Sequence, residues 1–371
     1  GSCPGGSTPY YGGYTYGEFG TIHPSGPQVH SDGEIFAQTM WELRAELIAE
    51  HGTAAGIAHA RRIYTNGLRL SPDWPSFLDL RNAMLQADAA AGLGDSDVIW
   101  DVFARRGMGY FASTTGTSDV NPIASFSDLP APGSGTGTVS GTITDSATGA
   151  AASGVYVGFA GHDSGVGPEL SDTTDADGDY SIAAVPTGDY PLLRAGGGGF
   201  EWESAAGVAV GSGTTVTRDF DLRRDLASLS GGAAVASFTG SDYTSSGCGP
   251  AQLIDGNQGT VWGSDKPPAG GSQQIVIALP AAATIGSFEI DPSAGCGDDA
   301  NASLGAYELQ VSSNGTSSTS VASGTFGPSH LGKLNVVTPS STPAGTRFVK
   351  LVAKGPQSTT GSGANYMDVA E

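Results

Sequence analysis

Apolar residues recur with a helical period along the first third of the chain. Ile35, Phe36, Thr39 (through its methyl), Met40, Leu43, Leu47 and Ile48 fall on one face of a helix spanning residues 28–52. Ser31, followed three residues later by Glu34, predicts a capping box at its start, with His30 immediately before it. A second helix is expected over 53–64 through Ile57, Ala58 and Ile63, stopped by Asn66-Gly67, a pair that tolerates a left-handed C-cap. Pro72 and Pro75 bracket a link. Phe77, Leu80, Met84, Leu85 and Ala87 then read as a third helix ending near Gly92. Asp95-Ser96-Asp97 caps a fourth through Ile99, Trp100 and Phe103, stopped at Gly107. Residues 1–27, rich in Gly, Ser, Pro and Tyr, show no sustained period and read as loop.

The period then changes. Residues 113–138 are poor in apolar side chains, and 131–137 have the composition of a linker. From 138 to 224, short alternating runs such as Val139-Ser140-Gly141-Thr142-Ile143 and Tyr180-Ser181-Ile182 are separated by Thr148-Gly149, Asp177-Gly178 and Thr187-Gly188. Such spacing predicts a β-sandwich of roughly 85 residues. Residues 225–371 hold a second set of strands, clearest at 275–279, 285–290, 307–311 and 347–352, with the span of a jelly roll of about eight strands. The expected architecture is multidomain: a small α-helical subdomain (1–130), a linker, and two all-β domains (138–224 and 225–371).

Composition narrows the function. Across 371 residues, 37 Asp and Glu face 16 Lys and Arg, a formal net charge of -21. That surface repels phosphate backbones and anionic membranes, which argues against a nucleic-acid partner. No run of 18 apolar residues is present, so no membrane insertion is expected. Cys248 and Cys296 each sit in a Gly-Cys-Gly context within one module and are expected to pair, with two buried free thiols as the alternative; Cys3 is left over. A pair implies an oxidising, extracellular setting. The chain opens without a signal-peptide pattern and stops within what reads as a strand, so it is expected to be a piece of a longer protein.

Three stretches resemble known families. Val29-His30-Ser31-Asp32-Gly33-Glu34-Ile35-Phe36, Asn66-Gly67-Leu68-Arg69-Leu70-Ser71-Pro72, Pro75-Ser76-Phe77-Leu78-Asp79-Leu80-Arg81-Asn82-Ala83 and Phe103-Ala104-Arg105-Arg106-Gly107-Met108-Gly109 resemble the C-terminal helical subdomain of fungalysin-type secreted zinc metallopeptidases, relatives of the thermolysin-like group. Thr174-Asp175-Ala176-Asp177-Gly178-Asp179-Tyr180-Ser181-Ile182 with Val185-Pro186-Thr187-Gly188-Asp189-Tyr190 resembles a carboxypeptidase regulatory-like domain. Leu253-Ile254-Asp255-Gly256-Asn257-Gln258-Gly259-Thr260-Val261-Trp262, with Met367-Asp368-Val369-Ala370-Glu371, resembles a discoidin or coagulation-factor type C domain, a galactose-binding-like jelly roll.

The first resemblance implies a zinc site built on His-Glu-x-x-His, two imidazoles on one helix face with a glutamate to polarise water. None of the six histidines (His23, His30, His51, His59, His162, His330) begins that motif, so the zinc ligands are expected upstream of Gly1. The resemblance casts His30 as the donor that hydrogen-bonds the developing oxyanion, a role worth roughly 3–4 kcal/mol. Where thermolysin-like members place an orienting carboxylate, this chain has Ser25-Gly26-Pro27; the bland alternative for His30 is a helix-entry hydrogen bond. Tyr14 and Tyr16 lie where they would line a cleft, although loop packing accounts for them as well. His51 and His59 are eight residues apart in a helical region, but Ala-rich surroundings without a carboxylate triad weigh against a metal there.

The third resemblance implies a structural calcium held by Asp255, Asn257, Thr260 and Glu371, with an Asx turn as the alternative. Asp175, Asp177 and Asp179 mimic a calcium loop but lack its downstream ligand, and turn chemistry explains them. Trp262 is expected in the core. Asn301-Ala302-Ser303 and Asn314-Gly315-Thr316 have the form of glycosylation sequons. The expectation overall is the C-terminal part of a secreted zinc metalloendopeptidase acting on protein or peptide substrates. Its accessory domains would face polysaccharide or cell-surface ligands, and this segment by itself would be inactive. The alternative is a non-catalytic surface-binding or adhesion protein.

Overall fold

The computed structural model describes residues 13–24, 27–117, 119–131, 133–163, 169–358, 360 and 365–371. Cys3 therefore lies outside the described residues. The chain forms two compact units, one of residues 1–196 and 202–222, the other of 197–201 and 223–371.

The first unit begins with four helices: α1 (Val29–His51), α2 (Thr53–Leu70), α3 (Phe77–Ala91) and α4 (Ser96–Arg105). Their apolar stripes meet in one core of Ile35, Leu43, Leu47, Ile63, Leu78, Met84, Ile99, Val102 and Phe103. Tyr16 joins it, 3% exposed, and packs on Phe19 and Phe77. Two local expectations are corrected. The cap of α1 is Gln28, whose side-chain oxygen accepts from the backbone N–H groups of His30 and Ser31. The buried carboxylate of Asp32 reaches back to the N–H groups of Gln28 and Gly20, at 2.8 and 2.9 Å. This reciprocal pairing displaces the Ser31–Glu34 box and starts the helix before His30. Helix α2 also runs through Asn66-Gly67 to Leu70. Gly67 is buried against α3, where a Cβ would meet Met84 Cγ at 2.8 Å, so its small size serves helix packing rather than a cap.

Strand β1 (Thr136–Asp145) begins inside the linker-like stretch. The sandwich that follows has β2 (Tyr156–Phe159), β3 (Ser171–Thr173), β4 (Asp179–Pro186), β5 (Gly188–Gly197), β6 (Phe200–Val210), β7 (Thr215–Thr217) and β8 (Phe220–Leu222). One sheet runs β4-β1-β7, with β8 also pairing β1, and the other runs β3-β2-β5-β6. Between them lie Val139, Ile143, Val157, Phe159, Ile182, Tyr190, Leu193 and Phe220, all buried. Asp175 accepts the N–H groups of Asp177 and Asp179 and makes a tight turn into β4, the turn chemistry its spacing suggested. The sandwich and the helices share one polar seam. Arg81, fully buried on α3, donates to the carbonyls of Met108, Gly109 and Gly161 at 2.8–3.0 Å and stacks on Trp100. His162 Nε2 donates to the Tyr110 carbonyl at 2.7 Å.

The second unit is an antiparallel jelly roll of β9 (Ala234–Phe238), β10 (Trp262–Asp265), β11 (Gln273–Ala283), β12 (Phe288–Ile290), β13 (Ala306–Ser312), β14 (Thr319–Thr325), β15 (Asn335–Val337), β16 (Thr346–Ala353) and β17 (Tyr366–Val369). Its main sheet is ordered β14-β13-β16-β11-β9, facing the β10-β17 and β12-β15 pairs. Alternating residues of β11 (Ile275, Ile277, Leu279) and β13 (Tyr307, Leu309, Val311) fill the core, as a period of two requires. Trp262 is 0% exposed at its centre. Cys248 and Cys296 form a disulfide with Cα atoms 6.0 Å apart.

Candidate functional site

His30 occupies the second position of α1, and its side chain is exposed. Gln28 and Asp32 fix its backbone from both sides, so the imidazole leaves the helix start toward solvent. Ser25 and Gly26, the stretch expected to lack an orienting carboxylate, lie outside the described residues. Further along α1, Glu42 is buried and paired with Arg106, whose Nε donates at 2.9 Å. The family-like Arg105-Arg106-Gly107 stretch therefore does structural work: Arg106 also donates to the Tyr14 carbonyl at 3.2 Å.

The closing loop of the jelly roll brings together all four residues expected at a cation. Asp255 Oδ1 accepts the Asn257 N–H at 2.9 Å, and the Thr260 hydroxyl lies 2.9–3.0 Å from the two Asp255 oxygens and 2.8 Å from the Asn257 carbonyl. Asn257 Oδ1 accepts the Gly259 N–H. Glu371 comes in after β17, held by Asp291 N–H donating to its carbonyl at 2.8 Å. Burial, then the charges of Asp225 and Asp255, push the Glu371 carboxyl up to about 9 against the pull of the Gly256 and Asn257 N–H groups. Its Oε2 is buried without a hydrogen-bond partner, and burial raises Asp255 and Asp225 as well. A buried orphan carboxylate oxygen beside two further carboxylates is a set of hard oxygens short of positive charge. That donor set fits a calcium ion. Asp225 was invisible to sequence reasoning, because it lies outside the loop motif.

A second feature of this unit had no clear sequence signal. Tyr243 and Tyr366 meet edge to face with ring centroids 6.3 Å apart, and Tyr366 is 37% exposed. The Tyr243 hydroxyl donates to Asp265 Oδ1 at 2.8 Å, and Ser241 donates to the other oxygen. An amphipathic ring edge beside fixed acceptors suits a polyol better than an apolar ligand.

In the helical unit, one expectation is overturned. His51 and His59 do have a carboxylate: Asp95 Oδ1 lies 2.6 Å from His51 Nε2, and Asp95 Oδ2 lies 2.7 Å from His59 Nδ1. The partner sits 44 and 36 residues away, beyond any local pattern.

With these arrangements in view, the comparisons with known proteins divide the chain in three. Residues 13–112 match the family model described as Fungalysin metallopeptidase (M36). Residues 138–223 match Carboxypeptidase regulatory-like domain, and 236–371 match F5/8 type C domain. The helical stretch, the sandwich and the jelly roll thus each match a different family model. Among curated relatives, Extracellular metalloproteinase 3 of Arthroderma gypseum is 30% identical over 114 residues, covering 26% of this chain and 18% of the relative. Extracellular metalloproteinase mep of Aspergillus terreus is 32% identical over 96 residues, covering 22% of this chain and 15% of the relative. The chain spans under a fifth of the length of these relatives. Among solved structures, a family 32 carbohydrate-binding module from Clostridium perfringens in complex with GalNAc-β-1,3-galactose is 22% identical, covering 38% of this chain and 93% of that one at TM-score 0.31. The family 32 module of C. perfringens NanJ in complex with galactose is 26% identical, covering 38% and 88% at TM-score 0.27. No helix among the described residues is long and apolar enough to cross a membrane.

Proposed function

We propose that the chain is the C-terminal part of a secreted zinc-dependent endopeptidase that hydrolyses peptide bonds in protein substrates. Its two β domains hold the enzyme at polysaccharide or cell-surface material. The observation that carries this reading is the fungalysin match over 13–112, on a helical unit whose first helix presents His30 at its exposed start. The 371 residues contain no His-Glu-x-x-His, so the motif that would hold the family's catalytic zinc is not among them. In the parent enzyme the zinc ligands lie in a portion outside these residues. The part this chain supplies is a donor: His30 N–H aimed at the oxygen that gains charge only in the transition state. In the jelly roll, Asp255, Asn257, Thr260 and Glu371 hold a structural calcium that fixes the closing loop. Tyr243 and Tyr366 offer a sugar-facing edge.

The 371-residue chain, incubated with casein with and without chelator, leaves the substrate intact. Chelator-sensitive cleavage overturns the assignment of the zinc ligands to another portion. In the parent enzyme, His30→Ala lowers kcat by about 10²- to 10³-fold with KM little changed. An unchanged kcat removes His30 from the chemistry. On a glycan array the chain retains galactose-type glycans, and Tyr366→Ala loses them. Retention without peptidase activity in the parent favours the rival reading, a non-catalytic adhesion protein.

A further inference from the structure

In the helical part of the first unit, one cluster has the chemistry of a ligand site. Among the described residues, His51, His59 and Asp95 are the only three His, Cys, Asp or Glu side chains whose ligand atoms all lie within 4.8 Å of one another. They come from three helices: His51 ends α1, His59 sits in the second turn of α2, and Asp95 is the residue before α4.

The backbone brings them together tightly. Gly52 takes a φ of 77° between α1 and α2, a conformation that favours glycine. Four residues on, Gly56 lets the two helices touch: a Cβ there would lie 2.3 Å from the Leu47 carbonyl oxygen and 2.5 Å from Ile48 Cα. This close corner sets the His51 and His59 rings 4.4 Å apart between centroids. On the other side Asp95 is pinned, its N–H donating to the buried Asp88 at 3.0 Å and its carbonyl accepting from Ile99.

Asp95 departs from the ordinary behaviour of an aspartate at this position. An N-cap carboxylate usually accepts a backbone N–H of the helix it starts. Asp95 makes no such bond and points both oxygens at the imidazoles instead. Its side chain is 1% exposed, whereas the rings keep 28% and 24%, so the cluster has a buried anionic floor and an open mouth.

We propose that His51 Nε2, His59 Nδ1 and the Asp95 carboxylate bind one divalent transition-metal ion of the zinc type, clipping α1, α2 and α4 together. Two imidazoles with one carboxylate select zinc, copper or nickel over calcium and magnesium, which prefer all-oxygen shells. At metal–ligand bonds of 2.0–2.1 Å a tetrahedral site spaces its ligand atoms about 3.3 Å apart. The His51–Asp95 and His59–Asp95 separations of 2.6 and 2.7 Å therefore open by under about 1 Å, a small ring and carboxylate rotation. Each ring then carries its proton on the outer nitrogen, His51 Nδ1 and His59 Nε2. Water from the open mouth completes the shell. The competing account is metal-free: Asp95 accepts one N–H from each ring and nothing else binds.

The two accounts separate in solution. Chelator-stripped chain is titrated with Co²⁺, whose visible d–d bands report low-coordinate nitrogen ligation. One equivalent saturates the bands, and Zn²⁺ displaces them. The apo midpoint of thermal unfolding rises on adding Zn²⁺, because the ion binds only the folded helices. His59→Ala and His51→Ala, both at partly exposed positions, abolish the bands while keeping helical circular dichroism. Asp95→Asn weakens them by at least tenfold in affinity. No saturable band, or bands retained in both histidine variants, overturns the proposal in favour of the hydrogen-bonded triad.

Discussion

Arg81 on α3 donates through Nη2 to the carbonyl oxygen of Gly161, 2.8 Å away and 80 residues on, across the seam between helices and sandwich. The neighbouring Asn82 amide donates to the same oxygen at 3.0 Å. Arg81 has five donors and no acceptor, and every contact of its guanidinium with a hydrogen-bond partner is to a carbonyl or amide oxygen. Burial lowers its pKa to about 10, so it keeps its charge at neutral pH. Removing it takes the side-chain donor from the Met108 carbonyl and one of two donors from the Gly109 and Gly161 carbonyls, which keep the Ala112 N–H and the Asn82 amide, in a buried seam. Arg81→Ala is expected to cost about 3–5 kcal/mol. Arg81→Lys recovers little, since an ammonium cannot span those carbonyls. Denaturant unfolding checks this, with helical circular dichroism and Tyr190 packing followed together. A loss below about 1 kcal/mol would show that the seam is not fastened there.

His162 predicts acid sensitivity in the same unit. Its Nε2–H donates to the Tyr110 carbonyl, and burial, then the charge of Arg81, lowers its pKa to about 3. The unfolded histidine binds a proton near pH 6.5, which the folded one refuses. Stability therefore falls as pH drops from about 6.5 toward 3, by a few kcal/mol at most. Asp163 runs the other way: burial raises it to about 6 despite Arg194, so its ionised form costs stability, and acid relieves that cost between about 6 and 3.8. The net slope of wild type is the difference of the two. His162→Gln removes the first contribution and should gain stability with falling pH through that window. A variant slope matching wild type would rule out His162 as the source.

The Cys248–Cys296 disulfide closes a segment of 48 residues within the jelly roll. Such a closure stabilises by about 4 kcal/mol through the unfolded chain. Reduction, or paired Cys→Ser substitution, should lower the stability of the jelly roll by that order. The transition of the helical unit should not move. Fluorescence of the buried Trp262 reports the first and helical circular dichroism the second.

Calcium at the closing loop is tested by thermal unfolding with and without chelator. The jelly-roll transition should rise with calcium, and Asp255→Ala should abolish the rise. Glu371→Gln distinguishes the site from a mere turn. It removes a buried carboxyl that holds its proton up to about 9 in the fold, so the ion-free variant gains on wild type as pH rises from about 4.5 toward 9, while the calcium response is lost. A calcium shift that survives both substitutions places the ion elsewhere.

Much of the architecture followed from local pattern. Helix faces such as Ile35–Thr39–Leu43–Leu47 and strand alternations such as Ile275–Ile277–Leu279 require only a period, and a period is written within ten residues. Tight turns at Asp175 and Asp255 likewise depend on side chains bonding their own backbone two residues on. The four cation-loop residues converge because three are neighbours and Glu371 follows closely on the strand paired with β10, whose first residue is Trp262. Tertiary structure alone decided the rest. The start of α1 moved because Asp32 found the N–H of Gly20 as well as Gln28, a contact across a loop with no period. Gly67 looked like a terminator because its neighbour across the helix pair, Met84, is absent from any local window. His51 and His59 looked partnerless because Asp95 reaches them only after α3 turns the chain back. Local bonds are enumerable from sequence; which distant groups share a few ångströms is set by packing of whole helices, and there the chemistry of this unit is decided.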